Sequence, residues 1–343
     1  MKKIRIAQIG VNRYSHATEI FKTLKSMPEL FEIVGYAIVE DERETCEAKL
    51  PAFDGYREMT VEEILADPTI DAVTVETDEI HLLKYARLVA ESGKHMHMEK
   101  PGSQSVADFE SLVETVRAKG TVFHLGYMYR YNPVISDVLA RARTGELGEI
   151  HSVEAHMSRI DREPCRRWLG SFKGGMMFYL GCHLVDLVYL LQGAPERVIP
   201  LNKSTGIGGI ETEDYGCAVL EYPNGISMIR MSGTEIGGYD RRQLVICTDR
   251  RTVEIKPLEV SVPKEERRPG MVAPLYTESV ERYRDEEGKV QTKYTRSPDY
   301  GRYSAMMQSF AAMVRGEKEN PFTYDYELAL FKLIMECCGA VEE

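Results

Sequence analysis

The sequence predicts an α/β chain in two parts: a parallel-sheet, dinucleotide-binding domain over residues 1–125, and a second α/β domain over 126–343 built on an open, mainly antiparallel sheet. Three observations carry this. The first part alternates short apolar runs with helix-period segments, the pattern of strand–helix–strand units around a parallel sheet. The second part runs strand after strand, with a Pro223-Asn224-Gly225 hairpin turn between two of them. At 343 residues the chain also exceeds the size at which a single core keeps growing.

Residues 4–9 form the first strand, and 15–27 a helix with Ala17, Ile20, Phe21 and Leu24 on one face. The second strand is 32–39. Thr60 and Glu63 have capping-box spacing and open a short helix. A buried strand at 72–76 leads to a helix over 79–92 that Gly93 closes. Strand 94–98, helix 105–119 and strand 121–126 complete the repeat. Further strands are expected at 148–160, 197–202, 214–222, 226–232, 243–248 and 252–256, with helices at 181–191 and 324–341. Residues 257–300 are charged and weakly periodic, which reads as a long surface excursion.

Composition excludes several function classes. With 43% apolar and 28% charged residues the chain is globular, and a formal net charge of -11 argues against nucleic acid or an anionic membrane as partner. No apolar run approaches membrane-spanning length and the start lacks a secretory core, so the expected location is cytoplasmic. The seven cysteines are scattered without zinc-ligand spacing, so reduced thiols and no metal site are expected.

Two segments carry the chemistry. Glu99-Lys100-Pro101 ends a strand, where open α/β sheets present their ligands, and Pro101 keeps Lys100 out of helical geometry. In the first turn, Gly10-Val-Asn12-Arg13-Tyr14-Ser15, Asn12 and Ser15 stand at two glycine positions of G-x-G-x-x-G. Asn tolerates left-handed geometry and Ser can cap the helix, so the turn reads either as a dinucleotide site or as an ordinary strand–helix turn. In the second domain, His183 and Asp186 fall three apart at a helix start, one short turn after Tyr179, as a catalytic or a structural pair.

Together with Tyr127-Met-Tyr-Arg130-Tyr-Asn-Pro133, Trp168 and Gly-Gly-x-x-x-Tyr-x-Gly-x-His-x-x-Asp at 174–186, these segments resemble the glucose-fructose oxidoreductase/inositol dehydrogenase (Gfo/Idh/MocA) family over nearly the whole chain. The resemblance implies a Rossmann domain, nicotinamide-dependent oxidation or reduction of a sugar or cyclitol, and a homodimer or homotetramer formed through the C-terminal sheet. It assigns Lys100 and His183 to catalysis, and puts Tyr179 where the family commonly has an aspartate. Cofactor contacts fall to Gly10, Asn12, Arg13, Tyr14, Ser15, Glu99 and Lys100, to Glu40 at the acidic ribose position, and to Thr77 and His81 beside the nicotinamide. Arg130, Trp168 and Asp186 are substrate contacts or structural residues. NAD is the expected cofactor, with NADP left open by Arg13 and Arg43. Two alternatives accompany this reading: an NAD-retaining enzyme that cleaves glycosides without net redox change, and a dinucleotide-binding regulator of a sugar pathway.

Overall fold

The computed structural model describes residues 2–340 and divides into two compact units. The first contains a five-stranded parallel sheet of β1 (Ile4–Ile9), β2 (Phe31–Ala37), β3 (Ala72–Val75), β4 (His95–Met98) and β5 (Phe123–Leu125). Strand order is β2-β1-β3-β4-β5, every pair parallel. The connecting helices include α1 (Ala17–Lys25), α2 (Val61–Ala66), α3 (Leu82–Ser92) and α4 (Val106–Lys119). All four residues of β3 are buried, as strands covered on both faces require. The order reverses between β1 and β3, so the turns after these two strands meet at the switch point where open α/β sheets bind ligands.

The cap of α2 follows the sequence: Thr60 Oγ1 accepts from Glu63 N and the Glu63 carboxylate accepts from Thr60 N. Two other starts differ. α3 begins at Leu82, three residues late, because Glu79 turns inward to bond Asn12. Ser15 does not cap α1. His16 is the capping residue, without a side-chain bond, and Ser15 Oγ is buried with no hydrogen-bond partner among the described residues.

The second unit opens with α5 (Pro133–Arg143), which sequence periodicity did not single out. Its sheet contains β6 (Ile150–His156), β7 (Arg197–Pro200), β8 (Tyr215–Tyr222), β9 (Gly225–Ser232), β10 (Gln243–Thr248), β11 (Arg251–Ile255), β12 (Glu278–Arg284) and β13 (Val290–Arg296). The order is β13-β12-β11-β10-β6-β9-β8-β7, with β6–β9 the parallel pair. β8 alternates buried and half-buried residues along its length, and Tyr222 pairs with Gly225 across the expected turn. Helix α6 (Cys182–Gln192) packs on β6 and β9.

Within 257–300, expected as a surface excursion, residues 278–284 and 290–296 are instead strands of this sheet. β12 and β13 pair antiparallel and extend the sheet from β11. β13 is an edge strand with nearly every side chain in solvent, so its polar sequence lacks the apolar alternation that marks half-buried strands.

The two compact units are discontinuous in sequence. The first unit runs to Met128, then regains residues 268–273 and 301–331. Packing explains the return. In α7 (Ser304–Val314), Phe310 stacks on His124 with ring centroids 5.3 Å apart, and in α8 (Tyr324–Cys337), Phe331 meets Phe109 at 4.4 Å. Val341, the expected end of that last helix, lies outside the described residues. Phe310 is fully buried, so Phe310→Ala should cost about 3–5 kcal/mol of stability. Denaturant unfolding checks this, and a loss below about 1 kcal/mol would remove α7 from the first unit's core.

Candidate active site

The first turn is built around close approach. A Cβ on Gly10, at φ +96°, would stand 2.6 Å from Thr77 N, so only glycine lets the turns after β1 and β3 touch. Asn12 adopts φ 44°, the left-handed geometry its side chain tolerates. Its Oδ1 accepts from Tyr14 N (2.8 Å) and Ser15 N (2.9 Å), while its Nδ2 donates to Thr77 O (2.7 Å) and Glu79 Oε2 (3.1 Å). Beneath the turn, Phe21 and Phe53 pack at 4.4 Å. The stretch Glu47–Phe53 brings Lys49 to donate to Asn12 O (2.5 Å) and Ser15 O (3.0 Å).

Glu40 follows β2 at φ 51°, its carboxylate accepting from Lys84 Nζ (2.5 Å) and Tyr85 OH (2.7 Å). Those two hydrogen bonds hold its carboxyl below the ordinary range. Arg13 pairs with Asp41 (2.9 Å) and Asp78 (3.3 Å), and Arg43 with Glu58. The Thr77 hydroxyl donates to Asp78 O, and His81 N donates to the same carbonyl. These residues fit a dinucleotide: a turn with close backbone approach, an α1 start without a side-chain cap, and an ionised carboxylate after the second strand.

Beyond β4, Lys100 is 6% exposed, its ammonium 3.4 Å from Glu99 and 3.9 Å from Glu79. Glu76, at the end of β3, is wholly buried 3.5 Å from His97 Nε2, and His97 meets His124 through their Nδ1 atoms at 2.8 Å. Burial raises the carboxyls of Glu76, Glu79 and Glu99, bringing Glu79 to about 7, and lowers His97 to about 3. The sequence reading included Glu99 and missed Glu76 and Glu79. Their signal was present as two acidic residues just past a short, mostly apolar strand.

In the second unit, Tyr179 lies on a π-helical turn, Met177–Gly181, that runs into α6. Such turns interrupt the helical register, often at functional sites. The Tyr179 ring meets Trp168 edge-on at 5.1 Å and faces the Arg159 guanidinium at 5.5 Å. Arg159 itself pairs with Asp161 at 2.5 Å. His183, 7% exposed, meets the Tyr129 ring edge-on at 5.4 Å. Arg130 Nε and Nη2 both donate to the Asp186 carboxylate, at 2.8–3.1 Å, with each side chain 1% exposed. That pair anchors the start of α6 to the segment before α5.

The parallel sheet and the turns at its switch point define an NAD-binding domain of Rossmann type, and the comparisons agree. Residues 4–127 match the family model described as oxidoreductase family, NAD-binding Rossmann fold, and residues 136–253 match the Gfo/Idh/MocA C-terminal domain. The chain belongs to the Gfo/Idh/MocA family. A D-xylose 1-dehydrogenase (NADP+) of Haloferax volcanii is 28% identical over 174 residues, 48% of this chain and 50% of the relative. A scyllo-inositol 2-dehydrogenase (NAD+) of Bacillus subtilis is 27% identical over 197 residues, 54% of this chain and 56% of the relative. The chain spans about half the length of the curated relatives it matches first, from 50% to 58%. The crystal structure of a putative NADPH-dependent oxidoreductase from Desulfitobacterium hafniense shares the fold at TM-score 0.81 and 17% identity, over 99% of this chain and 96% of that one. No helix among the described residues is long and apolar enough to cross a membrane.

Two outcomes follow. Asp186→Asn leaves a buried guanidinium without its counter-charge and should cost about 3–5 kcal/mol in denaturant unfolding. A variant of native stability with only a raised substrate KM would make Asp186 a substrate contact. The second concerns pH. A carboxyl raised from 4.5 to about 7 by burial favours the folded state below 4.5, and that contribution is lost as pH rises to 7. His97, lowered from 6.5 to about 3, acts oppositely, adding stability as pH rises from 3 to 6.5. The two oppose each other between pH 4.5 and 6.5. Glu79→Gln should therefore make unfolding free energy rise more steeply over that window, by up to about 1.4 kcal/mol per pH unit. An unchanged slope would mean Glu79 ionises normally.

Proposed function

We propose that the chain is a dehydrogenase or reductase that moves a hydride between a nicotinamide dinucleotide and the carbinol or keto group of a sugar, sugar derivative or cyclitol. The placement of Lys100 carries this reading. It is a buried ammonium past the carboxyl end of β4, 3.9 Å from a carboxylate that also bonds the turn expected to take the dinucleotide. Relatives named as xylose and scyllo-inositol dehydrogenases support the substrate class.

When bound, the dinucleotide supplies the hydride acceptor or donor. Gly10 and Asn12 shape the turn for it, with Arg13, Tyr14 and Ser15, and Glu40 takes its ribose hydroxyls. Thr77, His81 and Glu99 complete its contacts. Lys100 donates a hydrogen bond to the reacting oxygen and stabilises the negative charge that develops there. His183 takes the hydroxyl proton, an exchange for which imidazole is suited near neutral pH. Tyr179 and Trp168 offer aromatic surface to the sugar's apolar face. Arg130 and Asp186, spent on each other, hold α6 in place for His183. We further propose a homo-oligomer through the outer face of the C-terminal sheet, where Ile226 and Met228 are exposed.

Lys100→Met and His183→Asn should fold and bind dinucleotide yet lose most turnover, since both act after binding. Unchanged chemistry with weakened dinucleotide binding would take Lys100 out of catalysis. A purified protein that carries NADH absorbance and cleaves aryl glycosides without releasing NADH would favour the glycoside-cleaving alternative. NAD should bind more tightly than NADP, because Glu40 is ionised and Arg13 is already paired with two aspartates. Dissociation constants at low ionic strength, where charge is least screened, measure this. Tighter NADP binding that Arg13→Ala abolishes would reverse the preference.

A further inference from the structure

Glu79 has no part in the chemistry above, yet its carboxylate lies between the first turn and Lys100. It is fully buried in the turn after β3. Oε2 accepts from the Asn12 amide at 3.1 Å, and Oε1 faces the Lys100 ammonium at 3.9 Å with no hydrogen-bond donor among the described residues. A buried carboxylate is costly unless it is paired, so this geometry needs a reason.

The surroundings supply one. Asn12 faces Glu79 from the first turn, Asp78 from its own turn, Glu76 from the end of β3, Glu99 and Lys100 from the end of β4, and Lys49 from the Glu47–Phe53 stretch. Asp78 is taken by Arg13 and Lys49 by two carbonyl oxygens, which leaves one ammonium facing the carboxyls of Glu79 and Glu99. One charge cannot offset both. Burial first, and then the charges of Glu99 and Asp78, outweigh Lys100 and raise the Glu79 carboxyl to about 7.

We propose that Glu79 is a positioning residue for Lys100: one carboxylate oxygen is fixed by the amide of Asn12 and the other holds the ammonium, so a single side chain ties the turn shaped for the dinucleotide to the reacting lysine. The inference rests on the dehydrogenase reading for what Lys100 does, and on geometry alone for what Glu79 does to it. Ionised Glu79 stabilises the charged form of Lys100. Protonated Glu79 removes one negative charge from beside that ammonium.

The test follows the Lys100 amine by NMR of a lysine-labelled chain across pH, in the wild type, Glu79→Gln and Glu79→Asp. Glutamine keeps an acceptor for Asn12 and removes the charge, so the Lys100 midpoint should fall by about one to three pH units. Aspartate should recover part of that shift. The alkaline limb of kcat/KM should move with the Lys100 midpoint, while the dissociation constant for NAD, measured on the same proteins, changes little. An unmoved Lys100 midpoint in Glu79→Gln, with turnover lowered across all pH, would make Glu79 a packing residue and overturn the proposal. Should Glu79→Gln fail to fold, the reciprocal measurement decides. The Glu79 carboxyl, followed by carbon NMR, should titrate near 7 in the wild type and higher in Lys100→Met. No movement there overturns the tie equally. A Lys100 shift in a chain that oxidises no sugar or cyclitol would leave the tie standing and remove the dehydrogenase reading, and the converse result would do the reverse.

Discussion

Asn12 is the constraint on which the first unit's site depends. A glycine at its position would satisfy the left-handed backbone and nothing else. The asparagine satisfies the backbone and uses every polar atom it has. Its N–H is taken by Glu42, its carbonyl by Lys49, its amide oxygen by two turn N–H groups and its amide nitrogen by the turn after β3. Burial raises the Glu42 carboxyl and lowers Lys49, so both groups sit where water is largely excluded and their bonds to the turn are correspondingly strong. A glycine-poor turn thus gains by side-chain bonding the rigidity that glycine-rich turns gain by close packing.

That rigidity is what allows an unusual charge arrangement a few ångströms away. Glu76, Glu79, Glu99 and Lys100 are drawn from the ends of β3 and β4, adjacent strands whose termini the sheet holds in register. Isolated, each charge would be expelled or neutralised on burial. Here the lysine offsets part of the carboxylate charge, protonation offsets more, and neutral His97 adds none. The result is an ammonium among carboxyls that burial raises, Glu79 to about 7. Such an environment is suited to a group that must donate a hydrogen bond to an oxygen gaining charge.

The sequence made the parallel sheet legible because short, largely apolar runs alternate with helix-period segments, and it pointed to Lys100 because Pro101 holds that lysine in an extended corner at such a strand's end. It concealed what depends on tertiary partners. β12 and β13 expose so much of their length that Glu, Arg, Thr and Lys replace the alternation that marks a strand. Glu79 looked like the first turn of a helix, where acidic residues are common for reasons of helix dipole, and only the bond to Asn12 turns it inward. The return of 301–331 to the first unit is written in Phe310 and Phe331, two aromatics with nothing local to announce their partners. His183 and Asp186, equivalent in the sequence, separate in the structure: Asp186 is spent on Arg130, and His183 stands edge-on to an aromatic ring.

Tyr179 is the departure from the family resemblance, and its ring is bounded by Trp168 and Arg159. The phenol ring carries no formal charge at neutral pH, yet its face attracts a cation, and the Arg159 guanidinium lies over it. Arg159 brings Asp161 with it, so the negative charge missing at position 179 reappears on a different segment, already neutralised by an arginine. An aspartate at 179 would have stood one helical turn from His183 and favoured its protonated form. An aromatic ring there removes that bias. In the proposed reaction His183 would exchange its proton without a carboxylate one turn before it, and the aromatic surface of Tyr179 and Trp168 would take the place of a charged acceptor.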